Sequence, residues 1–271
     1  MSGREYCRSK AAPEGSSLHY ATLFHPEQTQ RGLIALFALY NELLDAFLTA
    51  SDPGVARVKL QWWREELQGL KAGHPRHPVA EELQFLGGSA DVDTGCLTVL
   101  PDAVEALFPP VDDGDVDDWL TNAGIAGFWG LAASLAGGGT ATAGQTGMLL
   151  TRLEQLQHLR PLLQLGFLPL PGVMLSRHGI HRDDLLGYPG VDGVTAALTE
   201  IIQTIAGRLD DSYRLGRGEN PLFVLILNRL GLTTCREIDR DGYEIVRHRV
   251  ALTPIRKLWI ATRTRCARLL T

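Results

Sequence analysis

Apolar residues recur at spacings of three and four along most of this chain, and the clearest run is RGLIALFALYNELLDAFL, residues 31–48. There Leu33, Leu36, Phe37, Tyr40, Leu43, Leu44, Phe47 and Leu48 form an apolar face wide enough for a helix buried on most sides. Pro26 stands ahead of it and Ser51-Asp52-Pro53-Gly54 ends it, as turn chemistry requires. Asn41, Glu42 and Asp45 interrupt the apolar run. They fit a single solvated edge, and the alternative is that Asp45 points into a cavity.

The same periodicity predicts helices from Ser17 towards Pro26, over residues 55–72 with Leu60, Trp63, Leu67 and Leu70 as its stripe, and over VAEELQFL after His77-Pro78. Residues 123–135 are rich in Gly and Ala, which suits a helix packed closely against its neighbours. Further helices are predicted over residues 143–163, 194–215, 220–230, 236–246 and 254–270, with a Pro-containing link and a short helix in GFLPLPGVMLSRHGIHRDDLL. No period-2 series competes with them, so the expected class is all-α. Residues 1–16 read as a loose lead-in and residues 17–271 as a single domain.

A chain of 271 residues, 45% of them hydrophobic, can bury a large core. The net charge of −5 gives no reason to expect nucleic acid. Between Arg229 and Arg268, however, ten Lys and Arg face four acids; a basic face for an acidic partner or lipid phosphate and a solvated helix face both fit this balance. Cys7, Cys96, Cys235 and Cys266 are scattered, without zinc or disulfide spacing. The N-terminus lacks the apolar segment of a signal peptide, and no run is long and apolar enough to span a bilayer. These features predict a cytoplasmic protein, with peripheral membrane contact left open.

Several familiar chemistries find no support. Asp112, Asp113, Asp115, Asp117 and Asp118 crowd together, but Gly114 comes too early for a calcium loop and no closing Glu follows. A solvated acidic loop that caps the next helix fits better. Gly137-Gly138-Gly139 has no phosphate-loop context, no GxSxG occurs, and the histidines are not at zinc-protease spacing. Trp62-Trp63 fits one core and one half-exposed ring.

Five segments together resemble the squalene/phytoene synthase family of head-to-head prenyltransferases: SLHYATLFHPEQTQRGLIALFALYNEL, DPGVARVKLQWWREEL, GHPRHPV, GFLPLPGVMLSRHGI and GYEIVRHRVALTPIRKLW. The resemblance implies the all-α isoprenoid-synthase fold, a helical barrel around a central cavity. In that family two prenyl diphosphates bind in the cavity, and Mg²⁺ held by aspartates from two facing helices neutralises the departing diphosphate. The family's DDxxD motif falls on Leu44-Asp45-Ala46-Phe47-Leu48, so both outer aspartates are leucine and only Asp45 remains. The family's preceding arginine falls on Asn41. The second motif, QLxNxLRDxxxD, meets LEQLQHLRPLLQLG. Aligned from the LP segment it places His158 and Leu162 at the aspartate positions; aligned on QLxxxLR it places Pro161 after Arg160. Glu154 is the one acid between Asp118 and Asp183.

The resemblance therefore implies a member that keeps the fold without the paired metal clamps, similar to the non-catalytic branch that includes the mitochondrial complex I assembly factor. No cofactor is expected. A protein partner or an apolar isoprenoid or lipid ligand would be bound, with Ser17, Tyr20, Arg31, Asn41, Asp45, Arg160 and Arg249 as candidate ligand contacts and respiratory complex assembly as the analogous role. The alternative is an active transferase condensing two prenyl diphosphates with Mg²⁺. It would need either a different placement of the motifs or another acid cluster, for which Asp210-Asp211 and the 112–118 acids are the dense candidates.

Overall fold

A computed structural model of the chain describes residues 1–50, 52–87, 94–108, 115–181, 184 and 192–270. Its described elements are helical, with no strand among them. The helix predicted at residues 31–48 is α3, Glu27–Leu48, and it is buried along most of its length, with Leu33, Leu36, Leu39 and Leu43 inaccessible. Its burial on nearly every side forces its neighbours to surround it.

One of those neighbours was not expected. Residues 1–16 are not a loose lead-in: α1 spans Gly3–Ala11 and opens with a capping box, in which Ser2 Oγ accepts from Glu5 N at 3.3 Å and Glu5 accepts from Ser2 N at 2.8 Å. The helix packs on α3 and on α5 (Pro78–Gly87), with Cys7 and Ala11 buried. Its apolar face is only Tyr6, Cys7 and Ala11, too short for periodicity to show. After it come α2 (Ser17–Thr22), capped by Ser16, and α4 (Pro53–Lys71) between α3 and α5. In α4 Trp63 is buried and Trp62 is 39% exposed, as expected.

A short 3-10 turn, Thr94–Val99, leads into α6 (Leu100–Glu105), and α7 is the four-residue helix Val116–Trp119. Asp115 caps α7 by accepting from Asp118 N at 2.8 Å, and Asp117 pairs with Arg208. Asp112 and Asp113 of the acidic run lie outside the described residues. Then α8 (Ala123–Leu135) lies tightly against α9 (Ala141–Gln157). Small residues make the approach feasible: a Cβ on Gly147 would fall 1.9 Å from Trp129 Cγ, and one on Gly144 would fall 2.9 Å from the carbonyl oxygen of Ala126. Arg152 of α9 is buried but well paired, donating to Trp119 O at 2.7 Å, Leu107 O at 3.3 Å and Gln155 Oε1 at 2.7 Å.

The helix predicted over residues 143–163 is two helices. It breaks at His158, and α10 runs Leu159–Gln164. Pro161 explains the break, because in a continuous helix its ring would meet the carbonyl of Gln157 and its missing N–H would leave that carbonyl unpaired. After α11 (Gly172–His178) comes the long α12 (Asp192–Gly216). The two helices predicted over 220–230 and 236–246 are instead joined in α13, Leu222–Arg240. Thr233 and Thr234 do not interrupt it; their hydroxyls donate back to the carbonyls of Arg229 and Leu230 at 2.8 and 3.0 Å. A turn through Tyr243 (φ 63°) and a 3-10 turn at Glu244–Val246 lead to the last helix, α14, Pro254–Leu269.

The Gly147 contact yields a prediction. Gly147→Ala has to displace Trp129, a side chain packed between α8 and α9, and should cost about 1–3 kcal/mol, read as a lower midpoint in urea unfolding. An unchanged midpoint would show that this approach is looser than described.

Candidate functional site

A cavity of about 660 Å³ lies between α3, α9 and α13, bordered at one end by α1, the start of α2, and residues 249–257. That size is within the roughly 300–1,000 Å³ of pockets that enclose whole small ligands. Helices α3 and α9 are tied across it by Tyr40 Oη and Thr151 Oγ1, 2.7 Å apart and buried. Burial raises the Tyr40 pKa, so the phenol stays protonated. One turn along from that bond, α3 presents Leu44 and then Leu48, and α9 presents Glu154 and then His158 at its broken end. Phe37, Trp129, Leu150, Leu227 and Leu230 make the rest of the interior apolar. The Trp129 indole N–H has no hydrogen-bond partner among the described residues.

The carboxylates of the lining are Asp45 and Glu154, and each is held by a cation. Lys10 Nζ donates to Asp45 Oδ2 at 2.7 Å and reaches Glu42 Oε1 at 3.0 Å. Burial disfavours the Lys10 charge, but the two carboxylates outweigh it and the pKa is raised. Tyr6 Oη donates to Glu42 at 2.7 Å, and Asn41 Nδ2 donates to Lys10 O at 3.3 Å. The edge formed by Asn41, Glu42 and Asp45 is thus partly covered by α1: the Glu42 side chain is 15% exposed and that of Asp45 41%. On the facing side Arg249 Nη2 donates to Glu154 Oε1 at 2.6 Å, and His158 Nδ1 lies 2.9 Å from Glu154 O. Lys257 also lines the cavity and donates to Gly15 O at 3.0 Å. Burial, then the nearby Arg249 charge, lowers its pKa.

Of the residues singled out in the sequence, the structure gathers Ser17, Asn41, Leu44, Asp45, Leu48, His158 and Arg249 around this cavity. It separates Tyr20, Arg31, Arg160 and Leu162 from it. Arg31 reaches across to Glu82, with its Nη2 3.0 Å from Oε2, and lies 4.3 Å from the Phe85 ring centroid, so it joins α3 to α5. Tyr20 packs against the core edge beside His19. The break at His158 changes the course of the chain, leaving Arg160 exposed on α10 and Leu162 fully buried in the core. Asp210 and Asp211 face Arg214 and do not line the cavity. Lys10 and Lys257 were missed. Lys10 sits in a stretch without periodicity, and Lys257 was visible only as part of a basic run.

An all-α assembly of long helices around one apolar cavity with a polar mouth defines the isoprenoid-synthase fold class. The chain belongs to the squalene/phytoene synthase family, whose description is "Squalene/phytoene synthase" and whose pattern matches residues 11–256. Among solved structures it is similar to a dehydrosqualene synthase crystallised with a ligand, at TM-score 0.77 and 14% identity over 99% of this chain and 97% of that one. It is also similar to the squalene synthase HpnC from Alicyclobacillus acidocaldarius, at TM-score 0.68 and 20% identity over 89% and 94% of the two chains. No curated protein matches the chain. Among the described residues, no helix is long and apolar enough to cross a membrane.

The two ion pairs should differ in weight. Lys10→Ala leaves Glu42 and Asp45 as adjacent, partly buried like charges and should cost about 1–2 kcal/mol. Glu154→Gln disturbs an exposed pair and should cost less than about 1 kcal/mol. Equal shifts in urea midpoint would contradict this ranking.

Proposed function

We propose that this protein is a family member without magnesium-dependent transferase chemistry, whose cavity holds an apolar isoprenoid- or lipid-like ligand. The observation that carries this reading is the lining itself: Leu44 and Leu48 stand on α3 where the resemblance places metal-binding aspartates, and the acids nearby are engaged by Lys10 and Arg249. Mg²⁺ is a hard ion that requires several oxygen ligands in near-octahedral order. Two carboxylates on separate helices, each already neutralised, do not fit that requirement. No group of three or more potential metal-binding side chains occurs among the described residues. The two leucines instead extend the apolar wall, which suits a hydrocarbon chain.

The resemblance to the non-catalytic branch of the family extends this reading to a part in respiratory complex assembly. A mutant strain lacking the protein that still assembles its respiratory complexes normally would remove that extension and leave the ligand-binding reading intact.

The competing reading is an active transferase, which the names of the two similar structures favour. Calorimetry with a non-hydrolysable farnesyl diphosphate analogue and with farnesol, each with and without Mg²⁺, separates the two. The expected result is farnesol binding that Mg²⁺ changes less than about twofold, a difference below roughly 0.5 kcal/mol. Tighter binding of the diphosphate analogue on adding Mg²⁺ would show a surviving metal-diphosphate site and overturn the proposal, and squalene or phytoene formed from prenyl diphosphates would establish the transferase. Leu44→Asp is expected to destabilise the protein at neutral pH by about 2 kcal/mol or more, because it places a carboxylate without a partner at a buried position; thermal melting checks this.

A further inference from the structure

The outer face of α14 is apolar where a helix on the surface would be expected to be polar. Ile255 is 83% exposed, Leu258 41%, Trp259 58% and Leu269 76%. At 100° per residue these four fall within an arc about 100° wide on one side of the helix. Arg263 flanks the arc on one edge and Arg265 on the other. Both guanidiniums lie over aromatic rings, Arg263 at 5.1 Å from the Trp259 centroid and Arg265 at 4.7 Å from that of Phe24. The helix carries five Lys and Arg and no acid, in a chain whose net charge is −5. Glu237 of α13 takes one of these cations, Arg256, at 2.8 Å.

We propose that this face of α14 docks on an anionic lipid bilayer. An apolar stripe containing a tryptophan and bordered on both sides by arginines matches the layered chemistry of a membrane surface. The stripe meets the acyl boundary, the indole sits at headgroup level, and the guanidiniums reach lipid phosphates. A second copy of the chain is a poor occupant, because pairing the stripes would bring the flanking arginines of two identical helices together. The position of the helix adds a consequence. Lys257 faces away from the stripe and lines the cavity, so a docked α14 would hold the cavity within about one helix diameter, roughly 10 Å, of the lipid.

Vesicle flotation of the full chain tests this, with neutral phosphatidylcholine vesicles beside vesicles containing one-quarter phosphatidylglycerol. The chain should float with the anionic vesicles only, and salt should weaken the association. Ile255→Ser combined with Trp259→Ser should lower vesicle affinity about tenfold or more, and Arg263→Gln combined with Arg265→Gln should do the same through charge. All four side chains are exposed, so circular dichroism melts should match the parent. The proposal is overturned if the parent floats with neither vesicle or with both equally, or if both double variants float as the parent does. It is equally overturned if light scattering shows a dimer that the Ile255/Trp259 variant dissolves while no form of the protein floats.

Discussion

Helix α3 can be buried on nearly every side only if the polar groups it carries are satisfied inside the protein, because an unpaired carboxylate in such a place costs far more than any single apolar contact returns. Tyr40 meets Thr151 and Arg31 meets Glu82, while Asn41, Glu42 and Asp45 are satisfied by α1. Lys10 lies against both acids, Tyr6 donates to Glu42, and the Lys10 carbonyl accepts from Asn41. This one cluster joins the first helix of the chain to its centre and borders one end of the cavity. It also places Asp45 where its charge is already neutralised.

The far side of the cavity is built on a different constraint. Pro161 ends α9 near His158, and the chain departs before Leu162 can extend the cavity wall. Glu154 is left as the acid of that wall, where Arg249 engages it from the segment ahead of α14. The two walls are therefore alike in chemistry: each offers one carboxylate, each carboxylate has a cation, and between them lie leucines and aromatic rings.

The tight contact of α8 with α9 serves the same cavity. Gly144 and Gly147 permit the approach, and the Trp129 ring held against Gly147 forms part of the lining. Around it, Phe37, Phe128 and Phe223 meet Trp129 or one another edge-on and stacked, which fixes the aromatic part of the wall. Shape on this side thus follows from two absent Cβ atoms.

Local chemistry along the chain was enough to determine the all-α class, the buried character of α3 and the small-residue packing of α8. These are periodic or positional properties, and a period needs no knowledge of what lies across the fold. Only the tertiary structure decided that residues 3–11 form a helix, that Asp45 faces Lys10, and that Arg31, Tyr20, Arg160 and Leu162 stand apart from the cavity that holds Ser17, Asn41 and Arg249. The reason is range: Lys10 and Asp45 are separated by 35 positions, and Glu154 and Arg249 by 95. Pairings at such distances arise from how helices pack, and no local pattern records which partner a charged side chain will meet.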